Sequence, residues 1–378
     1  MKGKDWALAA VAAVLMAGFA LQPAAALESA RDGLLLFFTV VLPSMLPFMV
    51  CACLFIDSGA AGAAGRLLDR VMRPLFACPG AAAFALAVSL LSGYPTGARV
   101  TAELVEAGVV SRRDALRTGV LASSTGPVFL LGAVGAGMLG SVAAGWVVLL
   151  SHYGAVLLTG MLFSLGGDRS PSASFRPAGP ADVPLMESLG SATKKTVDTL
   201  WTVGGYIILF SVVVRLLRQA GALQALAAGL GALGHLVGLD RALGEAFAVG
   251  LLEMSNACSA AAQTGASLAD RCVVLAMAVS FGGLCIQAQS MLFLSRAGVR
   301  TSLFLLGKVV QAGVAAVLCR LLLLLPAFAR VLQGTETVSV PAGGLWVGTV
   351  TMGGAAAVLL VFVVLALVSV RASTRGSA

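Results

Sequence analysis

Apolar stretches in this chain come in two lengths. Long runs at residues 6–27, 33–56, 143–163, 199–217, 303–325 and 345–370 lie near the about 20 residues a helix needs to cross a hydrocarbon core. Short runs at 81–91 and 246–252 stop about halfway, and each ends in small and polar side chains. The first short run ends in Ser92-Gly93-Tyr94-Pro95-Thr96-Gly97. Gly93 and Gly97 permit backbone angles that a helix forbids, while Pro95 lacks a donor and biases Tyr94 away from helix. Backbone groups freed in lipid cost several kcal/mol each, so such an interruption survives only inside protein or beside a water-filled cavity. The pattern predicts an all-α chain in which short, broken helices sit among long ones.

Taken in order, Lys2 and Lys4 precede the run 6–27, which contains Ala24-Ala25-Ala26. That layout fits a cleaved leader as well as a membrane helix; the length of the run favours a retained helix or signal anchor over residues 1–30. Pro43 and Pro47 predict a kink in the span 33–56. Residues 59–75, with Arg66, Asp69, Arg70 and Arg73 among small and apolar positions, read as an amphipathic helix lying in the interface. The charged stretch 98–117 reads as a solvated face. A second interruption follows at Ala122-Ser123-Ser124-Thr125-Gly126-Pro127. Beyond it, Gly132, Ala136 and Gly140 form a four-residue stripe suited to close helix packing. Residues 166–187 form a polar linker.

The second half repeats this order. Its short run, 246–252, is interrupted at Glu253-Met254-Ser255-Asn256-Ala257-Cys258, and Ser280-Phe281-Gly282-Gly283 falls opposite the second interruption. Arg271 matches Arg113, and the matched features are offset by about 158 residues, a period expected of internal repeats. The division is therefore a first repeat at 31–165, a second at 188–328, and a final membrane helix with a basic tail at 329–378. Gly/Pro-interrupted apolar segments at corresponding places in two halves point to a transport site near the bilayer midplane.

Composition narrows the class. Hydrophobic residues make up 59% and charged residues 11%, with mean hydropathy +0.97, against roughly 25% charge in soluble domains. This is a polytopic membrane protein. Its net charge of +8 therefore marks loops and anionic headgroups rather than nucleic acid. Seven cysteines, mostly inside apolar runs, read as buried thiols rather than a disulfide framework. No metal-ligand cluster, P-loop, nucleophile elbow or paired catalytic carboxylate stands out. No metal, cofactor or enzymatic activity is expected.

The residues able to carry chemistry gather at the interruptions. Ser92, Gly93, Tyr94, Thr96 and Gly97 line the first, with Arg99 close behind it as a candidate either for steering an anion or for anchoring at the interface. Ser123, Ser124 and Thr125 line the second. Glu253, Ser255 and Asn256 line the third, and Gly282 and Gly283 the fourth, with Gln287 and Gln289 just beyond. A carboxylate at membrane depth is costly and is by default a functional group; the alternative for Glu253 is to cap a half-helix or pair with an arginine. Helices restarting after each interruption aim their N-terminal N–H groups at the cavity, which favours an anion. Lys308, in Leu-Leu-Gly-Lys-Val-Val-Gln, reads first as a side chain that snorkels to an interface, with a substrate-facing role as the alternative. His152 and His235, each without a second ligand nearby, read as structural.

Several of these strings resemble the sporulation integral membrane protein YlbJ family. They are Met72-Arg73-Pro74-Leu75-Phe76 with Pro79-Gly80, Ser92-Gly93-Tyr94-Pro95-Thr96-Gly97-Ala98-Arg99, and Ser124-Thr125-Gly126-Pro127 with Gly132-Ala133-Val134. In the second half, Leu252-Glu253-Met254 and Ser280-Phe281-Gly282-Gly283 with Gln287-Ala288-Gln289 fit too. The resemblance covers residues 33–325. Its most specific string is Ser-Gly-Tyr-Pro-x-Gly, and it implies two Gate-type (nucleoside-recognition) repeats, with discontinuous or re-entrant helices between flanking transmembrane helices. It also implies a cell-membrane location, the outer forespore membrane included, and movement of dipicolinic acid during endospore formation. Thr96 and the alanine-rich stretch after residue 220 depart from the family's pattern and leave the substrate open. A nucleoside or ion carrier and a non-transporting membrane scaffold are the alternatives. The partners implied are a small anionic substrate and the lipid bilayer, with a second copy or other sporulation membrane proteins also open.

Overall fold

The computed structural model describes residues 3–58, 60–165, 167, 184–326 and 328. Most of the linker and the apolar run at 345–370 with its basic tail lie outside them. Helices account for all regular structure among the described residues: α1 (Gly3–Leu21), α2 (Pro23–Leu36), α3 (Leu42–Asp57), α4 (Ala60–Phe76), α5 (Ala82–Ser92), α6 (Thr96–Glu106), α7 (Ala115–Leu121) and α8 (Val142–Ser164) precede the linker. After it come α9 (Leu185–Gln219), α10 (Ala222–Leu236), α11 (Gly244–Gly250), α12 (Met254–Ala262), α13 (Leu268–Phe281), α14 (Gly283–Leu294) and α15 (Thr301–Leu324). Four stretches among the described residues are long and apolar enough to cross a membrane: Val142–Ser164, Met186–Gln219, Leu268–Leu294 and Thr301–Leu324. The all-α, multi-pass architecture is as expected.

The core lies where the halves interlock. α8, from the first half, packs against α13 and α15 from the second; α9 runs along α2 and α3, and α14 packs on α6 and α9. Fully buried Val147, Val148, Ala155, Leu275, Val279, Ala315 and Cys319 fill the α8–α13–α15 junction. Lipid tails are as apolar as these side chains, so close packing rather than water exclusion holds such helices together.

Four expectations are corrected. The first apolar run divides at Gln22-Pro23, so α1 ends at Leu21 and Ala24–Ala26 belong to α2. The span 33–56 contains π-type turns over Phe37–Val41, immediately before Pro43, whose missing N–H cannot sustain the α ladder. The stripe of Gly132, Ala136 and Gly140 does not pack closely: a Cβ on Gly132 or Gly140 would meet nothing within 4 Å. Residues Val128–Met138 form π turns, and both outer glycines of the stripe face open space. Gly135 makes the close approach instead, where a Cβ would lie 2.9 Å from the Gly145 Cα of α8. Finally, α9 starts at Leu185, well before the expected span; its first turns carry Glu187, Ser188, Lys194 and Lys195.

The stretch 98–117 is only partly a solvated face. Glu106, Arg112 and Arg113 are exposed, but Arg99 and Asp114 are each just 4% exposed. Arg99 Nε pairs with Glu103 Oε1 at 2.8 Å, and Arg117 pairs with Asp114. These ion pairs let charge enter the protein without an unpaired buried ion.

The amphipathic α4 is tied to the first short helix through one carboxylate. Asp69 Oδ1 accepts the Gly80 N–H at 2.6 Å, and its Oδ2 accepts Arg73 Nε at 2.6 Å. Hydrogen bonds to a charged group contribute about 1.5–3 kcal/mol. Asp69→Asn, which keeps one acceptor and loses the ion pair, is expected to lower stability by about 1–2 kcal/mol. Thermal unfolding in detergent at matched protein–detergent ratio measures it.

Candidate functional site

Four interruptions meet near the middle of the molecule, and the first question is where their freed backbone groups go. At the first, α5 ends at Gly93, whose φ of +83° suits a residue without a Cβ. A cis Tyr94–Pro95 peptide then leads into α6. Ser92 Oγ donates to Val88 O at 2.7 Å, and the Tyr153 hydroxyl donates to Leu90 O. At the second, residues 122–126 run without helix between α7 and the π turns. Ser89 Oγ accepts the Ser124 N–H at 3.0 Å and lies 2.9 Å from Ser124 Oγ. The Thr125 N–H donates to His152 Nε2 at 2.9 Å. Because that N–H must donate, the proton of His152 sits on Nδ1, which donates to Ser280 Oγ at 2.8 Å.

The third and fourth interruptions satisfy each other. Leu284 N–H donates to Leu251 O at 2.8 Å and Cys285 N–H to Leu252 O at 2.9 Å. Gly282 and Gly283 both adopt positive φ, +85° and +74°, which places the start of α14 against the turn before α12. Glu253, in extended conformation, caps α12: its carboxylate accepts the Ser255 N–H at 2.9 Å and the Asn256 N–H at 2.7 Å. This overturns the expectation that every restarting helix turns free N–H groups on the cavity. At α12 an internal anion already occupies them, as the helix macrodipole favours. At α6 no side chain caps the end.

Tyr94 braces the two halves. Its hydroxyl donates to Val279 O at 3.2 Å, with Ser280 O at 3.4 Å, and accepts from Lys308 Nζ at 2.7 Å. Thr125 Oγ1 reaches Val279 O at 3.3 Å, and Gln287 Nε2 donates to Phe281 O. The carbonyls left over at the end of α13 are thus met by side chains from the first half and from α14.

A cavity of about 120 Å³ opens at this junction. Of the predicted residues, Ser92, Gly93, Tyr94, Thr125, Glu253 and Ser255 line it, together with Gln289; Met45, Phe129, Val203 and Ile286 supply apolar wall. Ser124, Asn256, Gly282, Gly283 and Gln287 stand behind the lining and hold it. Thr96 and Ser123 are buried with their hydroxyls lacking a protein partner. Gly97 packs on the second interruption, where a Cβ would come within 2.1 Å of Ala122 O. Arg99 does not reach the cavity. It lines a separate polar recess with Glu103, Glu106, Lys195, Asp198 and Arg296, its charge balanced by Glu103.

Lys308 corrects the snorkelling expectation: it is fully buried. Nζ donates to Tyr94 Oη at 2.7 Å, Gln311 Oε1 at 2.7 Å and Ser123 O at 3.1 Å, and sits 4.7 Å from the Tyr94 ring centroid. His152, read as structural, does hold the second interruption in place. The signal for Lys308 was its spacing from Gln311, which places both on one helix face; nothing near His152 in the chain marked its partners.

Residues 38–142 match the Gate family, described as nucleoside recognition; that segment holds the first two interruptions. The sporulation integral membrane protein YlbJ of Bacillus subtilis (strain 168) is 31% identical over 318 residues, covering 79% of this chain and 78% of the relative. No solved structure matches the chain. Identity of that extent runs through both halves and all four interruptions, and the chain belongs to the sporulation integral membrane protein YlbJ family.

Proposed function

We propose that this protein moves a small organic anion across the membrane through the midplane cavity, with dipicolinate as the substrate the family resemblance implies. The observation that carries the reading is a cavity walled by interruptions from both halves: Ser92, Gly93 and Tyr94 from the first, Thr125 from the second, Glu253 and Ser255 from the third. Non-helical backbone is tolerated at membrane depth where it is buried in protein or lines a cavity, and broken helices meeting at the midplane are the common construction of carriers. Residues 31–165 and 188–328 act as two repeats of inverted topology. The interruptions pack in the same pairwise manner in each half: a Cβ on Gly126 would meet Leu91 O at 3.0 Å, and one on Gly283 would meet Leu252 O at 2.8 Å.

Charge supports an anion. Glu253 spends its carboxylate on the N-terminus of α12, whereas the Lys308 ammonium, behind Tyr94, has no carboxylate partner among the described residues. The cavity wall is therefore biased positive on the Tyr94 side.

Purified protein in liposomes is expected to take up labelled dipicolinate saturably, with unlabelled dipicolinate competing and a nucleoside such as uridine failing to compete. Uridine uptake without dipicolinate uptake would favour the nucleoside reading suggested by the Gate description. Absence of uptake of either, under proton and sodium gradients, by protein shown to be folded, would move the assignment to a scaffold.

A further inference from the structure

We propose that the Lys308 ammonium is a built-in monovalent cation, filling an oxygen cradle at the second interruption that would otherwise hold an inorganic ion. The cradle has three oxygens: the Ser123 carbonyl, Tyr94 Oη and Gln311 Oε1, at 3.1, 2.7 and 2.7 Å from Nζ. Each needs a donor. The Ser123 carbonyl accepts only. Tyr94 gives its own proton to the Val279 carbonyl, leaving a lone pair toward Nζ. Gln311 turns its amide nitrogen to the Ser123 carbonyl at 3.2 Å, so its oxygen faces Nζ. The three lone pairs turned toward Nζ match the three hydrogens of an ammonium.

The arrangement is that of a cation site. Carbonyls exposed where a membrane helix unwinds, joined by side-chain oxygens, are the groups that coordinate coupling cations in carriers. Here a side chain of α15 enters that space and is 0% exposed. The charged groups nearby do not cancel it: no carboxylate pairs with it among the described residues. His152, the titratable group on the adjoining α8, is held neutral by accepting the Thr125 N–H and donating to Ser280. A positive charge so placed, one hydroxyl behind the cavity wall, gives the wall a fixed bias that an inorganic ion would have to supply by binding. For the anion carrier proposed above, and resting on that reading, it follows that transport needs neither Na⁺ nor K⁺.

The cradle itself is tested without transport. Thermal unfolding of the full chain in lipid nanodiscs is followed at constant ionic strength in sodium, potassium, ethylammonium or choline chloride. Wild type is expected to unfold at the same temperature in all four. Lys308→Ala is expected to unfold about 5 °C or more lower in choline chloride, because Gln311 Oε1 and Tyr94 Oη lose the donor they share and the Ser123 carbonyl keeps only the Gln311 N–H. Sodium or ethylammonium chloride is expected to restore at least half of the loss. Lys308→Met, which fills the space without a donor, is expected to lose similar stability and to gain nothing from any of the salts. If Lys308→Ala cannot be purified, Lys308→Met and wild type carry the test. Stabilisation of wild type by sodium over choline, a Lys308→Met protein as stable as wild type, or no rescue of Lys308→Ala would each overturn the proposal. Failure of dipicolinate uptake would leave these unfolding results standing and count against the transport reading alone.

Discussion

Replacing Gly97 with alanine is expected to lower stability by about 3 kcal/mol or more. Two effects oppose each other. Gly97 lies in the first turn of α6, and a glycine-to-alanine change inside a helix is by itself favourable by about 1 kcal/mol. Against that, the added Cβ would sit 2.1 Å from the Ala122 carbonyl oxygen and 2.6 Å from Ser89 Cβ. The first of these atoms is backbone, and no rotamer change can move it away. Ser89 also cannot retreat freely, because its hydroxyl holds the Ser124 N–H. Overpacking therefore outweighs propensity, and the two interruptions in the first half must separate. Gly132→Ala provides the control: nothing lies within 4 Å of the new atom, so its stability should stay within about 0.5 kcal/mol of wild type. Thermal unfolding and gel-filtration behaviour of the two variants side by side measure the difference. Equal stability of both would mean that α6 and the second interruption are not in contact.

What could be read from the chain was the placement of interruptions; what could not be read was how they are sealed. Gly93, Pro95 and the Ser123-Ser124-Thr125 string mark helix ends by local rules of backbone geometry, and the structure ends helices there. Partners of the freed groups come from far along the chain. His152 meets residues 27 and 128 positions away, and Lys308 meets Ser123 from 185 positions away. No local pattern encodes that. Lys308 was misread for a specific reason: a lysine in an apolar run can reach water if the helix lies at the edge, and only packing shows that α15 is central. Arg99 reads from the chain as a steering cation or an interface anchor; its pairing with Glu103 at 2.8 Å in a recess apart from the cavity is set by packing. The glycine stripe marks a face without naming its neighbour: Gly132 and Gly140 meet nothing within 4 Å, while Gly135, outside the stripe, approaches Gly145.

These sealing contacts bear on how the cavity could function. The side chains that satisfy interrupted backbone also form the wall: Tyr94 and Thr125 both bridge to the end of α13 while lining the cavity. A change of shape at the cavity therefore cannot occur without exchanging hydrogen-bond partners across the two halves. For the carrier proposed above, that linkage favours discrete arrangements over continuous deformation.

Glu253→Asp should separate the two roles that converge on one carboxylate. As an N-cap, glutamate is an unusual choice: aspartate, asparagine and serine reach the N–H groups of the next turn with fewer rotatable bonds. Aspartate in the extended conformation seen here, φ −146° and ψ 124°, is expected to keep the cap to the Asn256 N–H and hold stability within about 0.5 kcal/mol. Glutamine, by contrast, offers one oxygen where the carboxylate uses both, on Ser255 and Asn256. Glu253→Gln is expected to cost about 1–2 kcal/mol. The longer arm of glutamate also sets where the carboxylate meets the cavity, and shortening it withdraws that edge. Dipicolinate uptake by Glu253→Asp is therefore expected to fall about tenfold, equivalent to about 1.4 kcal/mol, in a protein that unfolds like wild type. If Glu253→Asp instead transports at the wild-type rate while Glu253→Gln loses both stability and uptake, the carboxylate acts through the α12 cap alone, and the wall of the cavity is shaped by the helix it holds.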